Sequence, residues 1–423
     1  MNDSTIPAQP SCADPFEPGS LSVEQARLRI LAHADPVTGT ERVAIRQGLA
    51  RVLSDDVISP INVPPRTNSA MDGYAVQGAD LPAEGEVSLR IIGESYAGTP
   101  YGGPLGSGEA VRIMTGGVMP MGSDSVVIQE QVVATGDVLR VGSGHRTGQN
   151  VRATGEDLAE GEVALCAGRL LTPADLGLLA SLGFAEIGVR RRPRVAFLST
   201  GDELRGIGTP LDEGQIYDSN RYTLYAMLSR MGVDLLDLGV VGDDKGALEE
   251  TLTAAAGDAD VVISTGGVSV GEADFTREIL ARLGQVGFWK IAMKPGRPLA
   301  FGQLGSTLFF GLPGNPVAVM VTFHQFVRPA LLRLAGAETP DQFARLTAVC
   351  SERLRKRAGR AEFTRGIVES RPDGTLSVRS TGRQGSGILR SMSLANCFIV
   401  LPAERETVEP GETVQVELFQ GML

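Results

Sequence analysis

Two carboxylates, Glu272 and Asp274, close a stretch that also holds three glycines, Gly266, Gly267 and Gly271, in the run VVISTGGVSVGEAD from Val261 to Asp274. Val261, Val262 and Ile263 suit a strand covered on both faces, because such a strand needs no polar alternation. Beyond the glycines, Phe275, Ile279 and Leu283 fall on one helical face, which predicts a helix starting near Asp274. A glycine turn between strand and helix gathers backbone N–H groups that can hold an anion. Acids beside such a site repel the anion unless a divalent cation lies between them, and Mg²⁺, a hard ion that takes oxygen ligands, answers this description. A tight turn carrying solvated acids answers it equally, so the stretch alone leaves the two readings level.

The elements that must position these groups alternate in type. Pro193 to Thr200 (PRVAFLST) reads as a strand, followed by Gly201-Asp202-Glu203; Ser219 to Gly232 reads as a helix capped by Ser219 or Asn220 and ended by Gly232. Strand VDLLDLGVV leads to Asp243, a helix runs through Leu248 and Leu252, and VVIST opens the glycine turn. This alternation predicts a mostly parallel sheet wrapped on both faces, whose ligands bind beyond the carboxyl ends of the strands. Successive strands then deliver Glu203, Asp243 and Asp274 to one edge, which predicts a shared metal site.

After the turn the charge reverses. Lys290, Lys294 and Arg297 lie in WKIAMKPGRPLAF, where prolines and a glycine forbid regular helix and fix a basic loop suited to a small oxyanion or a phosphate. FFGLPGNPVAVMVTFHQFV adds a strand, a turn from Pro313 to Pro316, and a long apolar helix with Pro316 in its first turn. Upstream, PPRTNSAMDGYA carries Asp72-Gly73, which reads first as a hairpin turn and second as one carboxylate presented at a surface. IMTGGVMP offers Thr115 and two glycines to an oxyanion, and its likeness to ISTGGV lacks the periodicity of a repeat.

The 423 residues allow two to four domains, and 42% hydrophobic content is that of a soluble globular chain. With 50 acidic against 39 basic residues, the net charge of −11 argues against a nucleic-acid partner or an anionic membrane surface. Cys12, Cys166, Cys350 and Cys397 form no C-x-x-C, and His33, His145 and His324 are widely spaced, which excludes a zinc ribbon and favours a reducing cytoplasm. No run approaches 18 apolar residues, and the first twenty residues read as a disordered tail rather than a signal peptide.

The predicted fold class is α/β plus β. A disordered tail (1–20) precedes a helical linker or dimerisation domain (21–60 with 156–190) that brackets an inserted β-rich domain (61–155). A central α/β layer with a mostly parallel sheet (191–340) follows, and the alternating runs of 341–423 form a small β-barrel or sandwich.

With SAMDGYA, TGDEL, STGGVSVGEAD, KPGRP and GLPGNP in order, the chain resembles the molybdopterin molybdenumtransferases, the bacterial MoeA family related to plant molybdenum insertases and the gephyrin E domain. The resemblance makes the 191–340 layer a domain of the molybdopterin-binding type and implies a homodimer that binds adenylylated molybdopterin, inserts molybdate and releases AMP with Mg²⁺. It implies that Asp72, from the partner subunit, completes the acidic set of Glu203, Asp243 and Asp274, with Thr115 and Asp157 lining the same cleft. Gly266, Gly267 and Ser269 of the glycine turn, with Lys290, Lys294, Pro313 and Pro316, would bind substrate, and Arg365 of EFTRG and Ser386 of QGSG would lie on the molybdate side. Ala318 departs from the serine that many relatives carry after N-P-V. The implied partners are the molybdopterin adenylyltransferase and downstream molybdoenzyme maturation proteins. A molybdopterin adenylyltransferase and a non-enzymatic gephyrin-like scaffold are the rival readings.

Overall fold

The computed structural model describes residues 20–242, 244–266, 273–338 and 343–419, with only the backbone of 273–277, so the expected tail lies outside the described residues as far as residue 19. The centre of the molecule is a six-stranded sheet covered on both faces. Its strands are β1 (Arg194–Thr200), β2 (Asp234–Val241), β3 (Val261–Thr265), β4 (Gln285–Lys290), β5 (Pro298–Leu304) and β6 (Thr307–Leu312), in the order β2-β1-β3-β6-β5-β4. Alternate residues feed two cores. Val195, Phe197, Val261, Ile263 and Phe310 pack with Leu224, Met227 and Leu228 of helix α1 (Ser219–Met231), whereas Ala196, Leu198, Val262 and Phe309 pack with Leu248 and Leu252 of α2 (Lys245–Asp258) and Ile279 and Leu280 of α3 (Ala273–Leu283). The continuous apolar runs read from the sequence are the consequence of this two-sided burial.

Strands β2, β1, β3 and β6 pair in parallel, but β5 runs antiparallel to both β6 and β4. The antiparallel arm arises because the connections on either side of β5, Ile291–Arg297 and Gly305-Ser306, leave no room for the crossover that a parallel pair requires. Helix α1 is capped by Asp218, whose Oδ1 accepts from the Arg221 N–H at 3.1 Å, and not by Ser219 or Asn220. Asn220 is committed elsewhere, as its Nδ2 donates to the Gly314 carbonyl at 2.7 Å. Gly232 ends α1 in the left-handed conformation, as the sequence predicts. The long apolar helix after Pro316 is divided: α4 (Pro316–Thr322) passes through a π-helical turn, Phe323–Val327, into Arg328–Leu334. Pro329 has no N–H to offer the Gln325 carbonyl, and Arg27 Nε donates to that oxygen instead at 3.3 Å.

Upstream, Thr40–Ala44 pairs antiparallel with Glu186–Arg190, and Val57–Ile58 with Val163–Leu165, so the chain leaves and re-enters the same unit around a six-stranded β-rich sheet. Downstream, β7 (Arg345–Cys350), β8 (Ala361–Ser370), β9 (Leu376–Ser380), β10 (Cys397–Leu401) and β11 (Thr413–Leu418) close a five-stranded barrel, because β8 pairs with both β9 and β10. The barrel's interior is filled by Cys350, Val378, Ile399 and Val416. A two-residue strand, Met293–Lys294, adds to β8 and ties the central sheet to the barrel.

The start of β3 is held electrostatically. Asp260 accepts from Arg191 Nη1 and Nη2 at 2.8 Å each and from the Arg194 N–H at 2.7 Å. Burial pushes the Asp260 carboxyl up, but the Arg191 fork and the Arg194 amide outweigh it and hold the group below the usual carboxylate range. Its folded value being depressed, the stability it contributes is present above the unfolded value and fades as pH falls through the folded one. Asp260→Ala should lower the stability of this layer by about 2 kcal/mol near neutral pH. The loss should shrink as pH falls below the ordinary carboxylate range, read by denaturation followed through Trp289, the single tryptophan, which is buried in β4.

Candidate functional site

The carboxyl ends of β1, β2, β3 and β6 form one edge, since Thr200 lies opposite Val241, Ser199 opposite Thr265, and Thr265 opposite Leu312. At that edge Gly266 adopts φ +86°, and a Cβ there would lie 2.4 Å from the Thr200 carbonyl oxygen, so no larger residue fits between the strand ends. Glu203 folds its carboxylate back over Gly201, with Oε2 2.4 Å from where a Gly201 Cβ would stand, and Asp202 sets Oδ1 3.2 Å from the corresponding position of Gly242. In these positions the Glu203 carboxylate uses space that a side chain at Gly201 would take, and the Asp202 carboxylate packs closely on Gly242. Asp202 was passed over in the sequence, and the signal that could have found it is its neighbour in TGDEL. Asp243, Gly267 and Ser269 lie outside the described residues, as does the Asp274 side chain, whose backbone is in the first turn of α3. Among the described residues no group of three or more His, Cys, Asp or Glu could hold a metal.

A cavity of about 350 Å³ opens beside this edge, walled by Lys294, Gly296 and Pro298, by Pro313, Gly314, Asn315 and Ala318, and by Gln384, Gly385 and Ser386. Three sequence-distant motifs, KPGRP, GLPGNP and QGSG, thus meet at one place. Gly296, at φ +97°, brings the basic loop so close to α4 that a Cβ would lie 2.5 Å from Thr322 Cγ2. Ser386 is joined to the opposite wall, where its carbonyl accepts from the Val317 N–H at 3.1 Å. That bond occupies an amide at the start of α4, which is therefore not free for a ligand. Pro316 shapes this wall as the first residue of α4, between the lining residues Asn315 and Ala318. The methyl of Ala318, where a hydroxyl had been expected from the resemblance, leaves this wall apolar.

Behind the Gln384–Ser386 loop lies Arg365, 1% exposed on β8. Its Nε donates to Ser391 Oγ at 3.0 Å and its Nη2 to the Gly385 carbonyl at 3.1 Å, while its backbone N–H donates to Gln384 Oε1 at 2.9 Å. Burial pulls the guanidinium down to about 10, so it stays charged at neutral pH. Among the described residues no carboxylate lies within ion-pair distance of it. Lys294 pairs with Glu362 at 3.3 Å and remains half-exposed. One cation, Lys294, thus lines the cavity directly, and a second, Arg365, is bonded to Gly385 of its Gln384–Ser386 wall. Lys290, by contrast, is 5% exposed at the end of β4 and is not among the described lining residues.

Asp72 and Thr115 meet on the β-rich sheet. The Thr115 amide and hydroxyl both donate to Asp72 Oδ1 at 2.7 Å, and together, with Arg112 nearby, they hold the Asp72 carboxyl below the usual carboxylate range. Asp72-Gly73 is no hairpin turn: Gly73 opens the strand Gly73–Val76, and Thr115 spends its donors on Asp72 rather than leaving them free. Asp157 is exposed in the return segment, its N–H bonded to the Val63 carbonyl at 3.0 Å. Among the described residues no hydrogen bond or ion pair joins Asp72, Thr115 or Asp157 to Glu203 or to the cavity.

Comparison with known proteins matches the chain to three family models, "MoeA N-terminal region (domain I and II)" over residues 21–183, "Probable molybdopterin binding domain" over 196–333, and "MoeA C-terminal region (domain IV)" over 347–419. It is 45% identical over 404 residues to the molybdopterin molybdenumtransferase of Haemophilus influenzae, covering 95% of this chain and 100% of that one. It is 35% identical over 408 residues to that of Bacillus subtilis, covering 95% and 94%. The crystal structure of a molybdopterin biosynthesis moeA protein from Pyrococcus horikoshii superposes with a TM-score of 0.82 at 30% identity, covering 94% of this chain and 100% of that one.

Because the Arg365 guanidinium holds the Gly385 carbonyl with Nη2 and Ser391 Oγ with Nε, a spread of donors that an ammonium does not copy, Arg365→Lys should raise hydrogen exchange at the amides of 384–387 while leaving β1 and β3 protected. Unchanged exchange in that loop would remove Arg365 as its support.

Proposed function

Since the chain belongs to the molybdopterin molybdenumtransferase family, we propose that it acts in molybdenum cofactor biosynthesis, inserting molybdate into the dithiolene of adenylylated molybdopterin with release of AMP. The observation that carries this reading is the cavity between Lys294 and the Arg365-backed loop, a small, largely apolar-walled space with one cation in its wall and a second bonded to the loop that forms another wall. Such a space suits a tetrahedral dianion beside a flat pterin.

In this account each group of residues has one task. Lys294, Arg365 and Ser386 bind and orient molybdate; Pro313, Pro316 and the rigid loop at Gly296 shape the pterin side, with Lys290 supporting it from the end of β4. Gly266, Gly267 and Ser269 let the phosphate-bearing part approach the backbone. Glu203, Asp243 and Asp274, with Asp202 beside them, would hold Mg²⁺, for which hard carboxylate oxygens at one sheet edge are the fitting donors. When bound, that ion would offset the charge of the pyrophosphate. The protein's own share is orientation and fixed charge, since the sulfur ligands of molybdenum belong to the substrate.

The working unit of this account is a homodimer in which Asp72, Thr115 and Asp157 of one subunit complete the cleft of the other. What supports it is that the Asp72–Thr115 pair is pre-formed, that its hydrogen bonds favour the carboxylate form, and that among the described residues no hydrogen bond or ion pair joins it to Glu203 or to the cavity. The account also assigns the domain boundaries read from the sequence, a cytoplasmic setting, and exchange of pterin with the adenylyltransferase and with maturation proteins. An adenylyltransferase would leave the barrel loop, which supplies one wall of the cavity, without a task.

The test is to incubate the protein with adenylylated molybdopterin, Mg²⁺ and molybdate and follow AMP. AMP should appear only when molybdate is present; AMP in its absence, or consumption of ATP with free molybdopterin, would overturn the assignment. Asp274→Ala should abolish release without lowering the melting temperature, and unchanged turnover would strike Asp274 from the mechanism.

A further inference from the structure

Lys294 has a second side. There it helps wall a groove of about 590 Å³ together with Arg353, Arg355, Arg357, Arg360 and Glu362. With Lys356, six of the nine residues that line it are cations, in a chain whose net charge is −11. A local reversal of that size focuses a positive potential on one place.

The groove is built rather than incidental. From Arg353 to Arg357 exposure alternates strictly: Arg353, Arg355 and Arg357 face solvent while Leu354 and Lys356 are buried. Such period-two alternation in an extended segment puts the three arginines on one side. Leu354 is pinned by a two-way backbone pairing with Val408 at 2.9 Å. Lys356 is pinned harder, its Nζ donating to the carbonyls of Arg357 at 3.2 Å, Ala403 at 3.2 Å and Arg405 at 2.6 Å. The buried ammonium thus staples the segment to the barrel and is not itself available to a ligand. Arg353 is paired with Glu409 at 3.0 Å, and Glu362 is taken by Lys294. That leaves Arg355, Arg357 and Arg360, none of which has a carboxylate within ion-pair distance among the described residues. Neighbouring guanidiniums repel each other unless an anion lies among them.

We propose that this groove is an oxyanion-capture site, which gathers tetrahedral dianions from solution and passes them to the adjoining cavity across Lys294, the residue that the two share. The chemical class follows from the donors: planar guanidinium forks match the oxygen pairs of sulfate-like and phosphate-like ions. That the dianion taken is molybdate rests on the function proposed above. The groove raises the local concentration of substrate and takes no part in the chemical step.

The experiment uses the full chain and the pair of substitutions Arg355→Gln with Arg357→Gln, both at exposed positions that leave the Lys356 staple intact. A second pair, Arg140→Gln with Arg146→Gln, removes the same charge from exposed positions of the β-rich sheet and its neighbouring loop. Equilibrium dialysis against molybdate, sulfate and phosphate separately should find one more dianion bound per wild-type chain than per Arg355/Arg357 chain; equal stoichiometry for all three proteins overturns the proposal. Preferential retention of molybdate identifies the substrate as the dianion held, and equal retention of all three assigns the groove to tetrahedral dianions in general. In the AMP-release assay, the Arg355/Arg357 pair should raise the half-saturating molybdate concentration roughly tenfold with the maximal rate unchanged, and the control pair should match wild type. Raising the salt should move wild type, which needs no mutation, in the same direction. A fall in maximal rate with an unchanged half-saturating concentration would contradict capture. If wild type released no AMP, the insertion reading would fail while the dialysis still decided the groove.

Discussion

The attachment of Lys294 to the barrel is the constraint on which the rest of the site depends. Its backbone extends β8 as a short parallel strand, with Lys294 in register with Glu362, and its ammonium closes on the Glu362 carboxylate at 3.3 Å. Through that joint the antiparallel arm of the central sheet and the C-terminal barrel are fixed to each other, and the space left between them is the cavity. The Ser386–Val317 backbone bond closes the same space from the other side. A pocket assembled from separately folded layers exists only while both joints hold, which explains why neighbouring loops are stiffened by proline and glycine rather than left free.

Charge is sorted along this seam. Carboxylates crowd the carboxyl ends of β1 and β2, where they lie against glycines, and cations line the barrel side. For the substrate proposed above, with a pyrophosphate at one end and an oxyanion received at the other, that sorting would match the two ends to different tools: a bridging cation among the acids, and direct guanidinium or ammonium contact among the bases. Buried Arg365 shows how firmly the second tool is held. Its charge is kept despite burial, and its guanidinium hydrogen bonds go to the Gly385 carbonyl and to Ser391 instead of to a neutralising carboxylate.

Much of this could be read from the chain. The two-sided strands announced themselves as unbroken apolar runs, and KPGRP and GLPGNP stand out by their prolines and glycines, whereas QGSG reads by itself as a flexible connection and gains a site only through the resemblance. What stayed hidden follows a common rule: it depends on partners distant in sequence. Asn220 looks like a helix cap until Gly314 arrives to claim its amide. Thr115 looks like a free donor until Asp72 takes both of its hydrogens. Pro329 gives no hint that the helix before it must widen into a π turn around Arg27. The basic segment RLRKRAGR drew no attention because a charge run is ordinarily a solvated face, and only its wall shared with the cavity gives it meaning. The acids at the glycine turn remain the part of the reading carried by topology, through the parallel register of β1, β2 and β3, rather than by seen side chains.

The most direct test of the account is anomalous diffraction at the molybdenum edge from crystals of the full chain grown with molybdate. The account predicts a peak inside the cavity bounded by Lys294, Pro313 and Ser386. Molybdenum found only outside that cavity, at a concentration that saturates turnover, would contradict it.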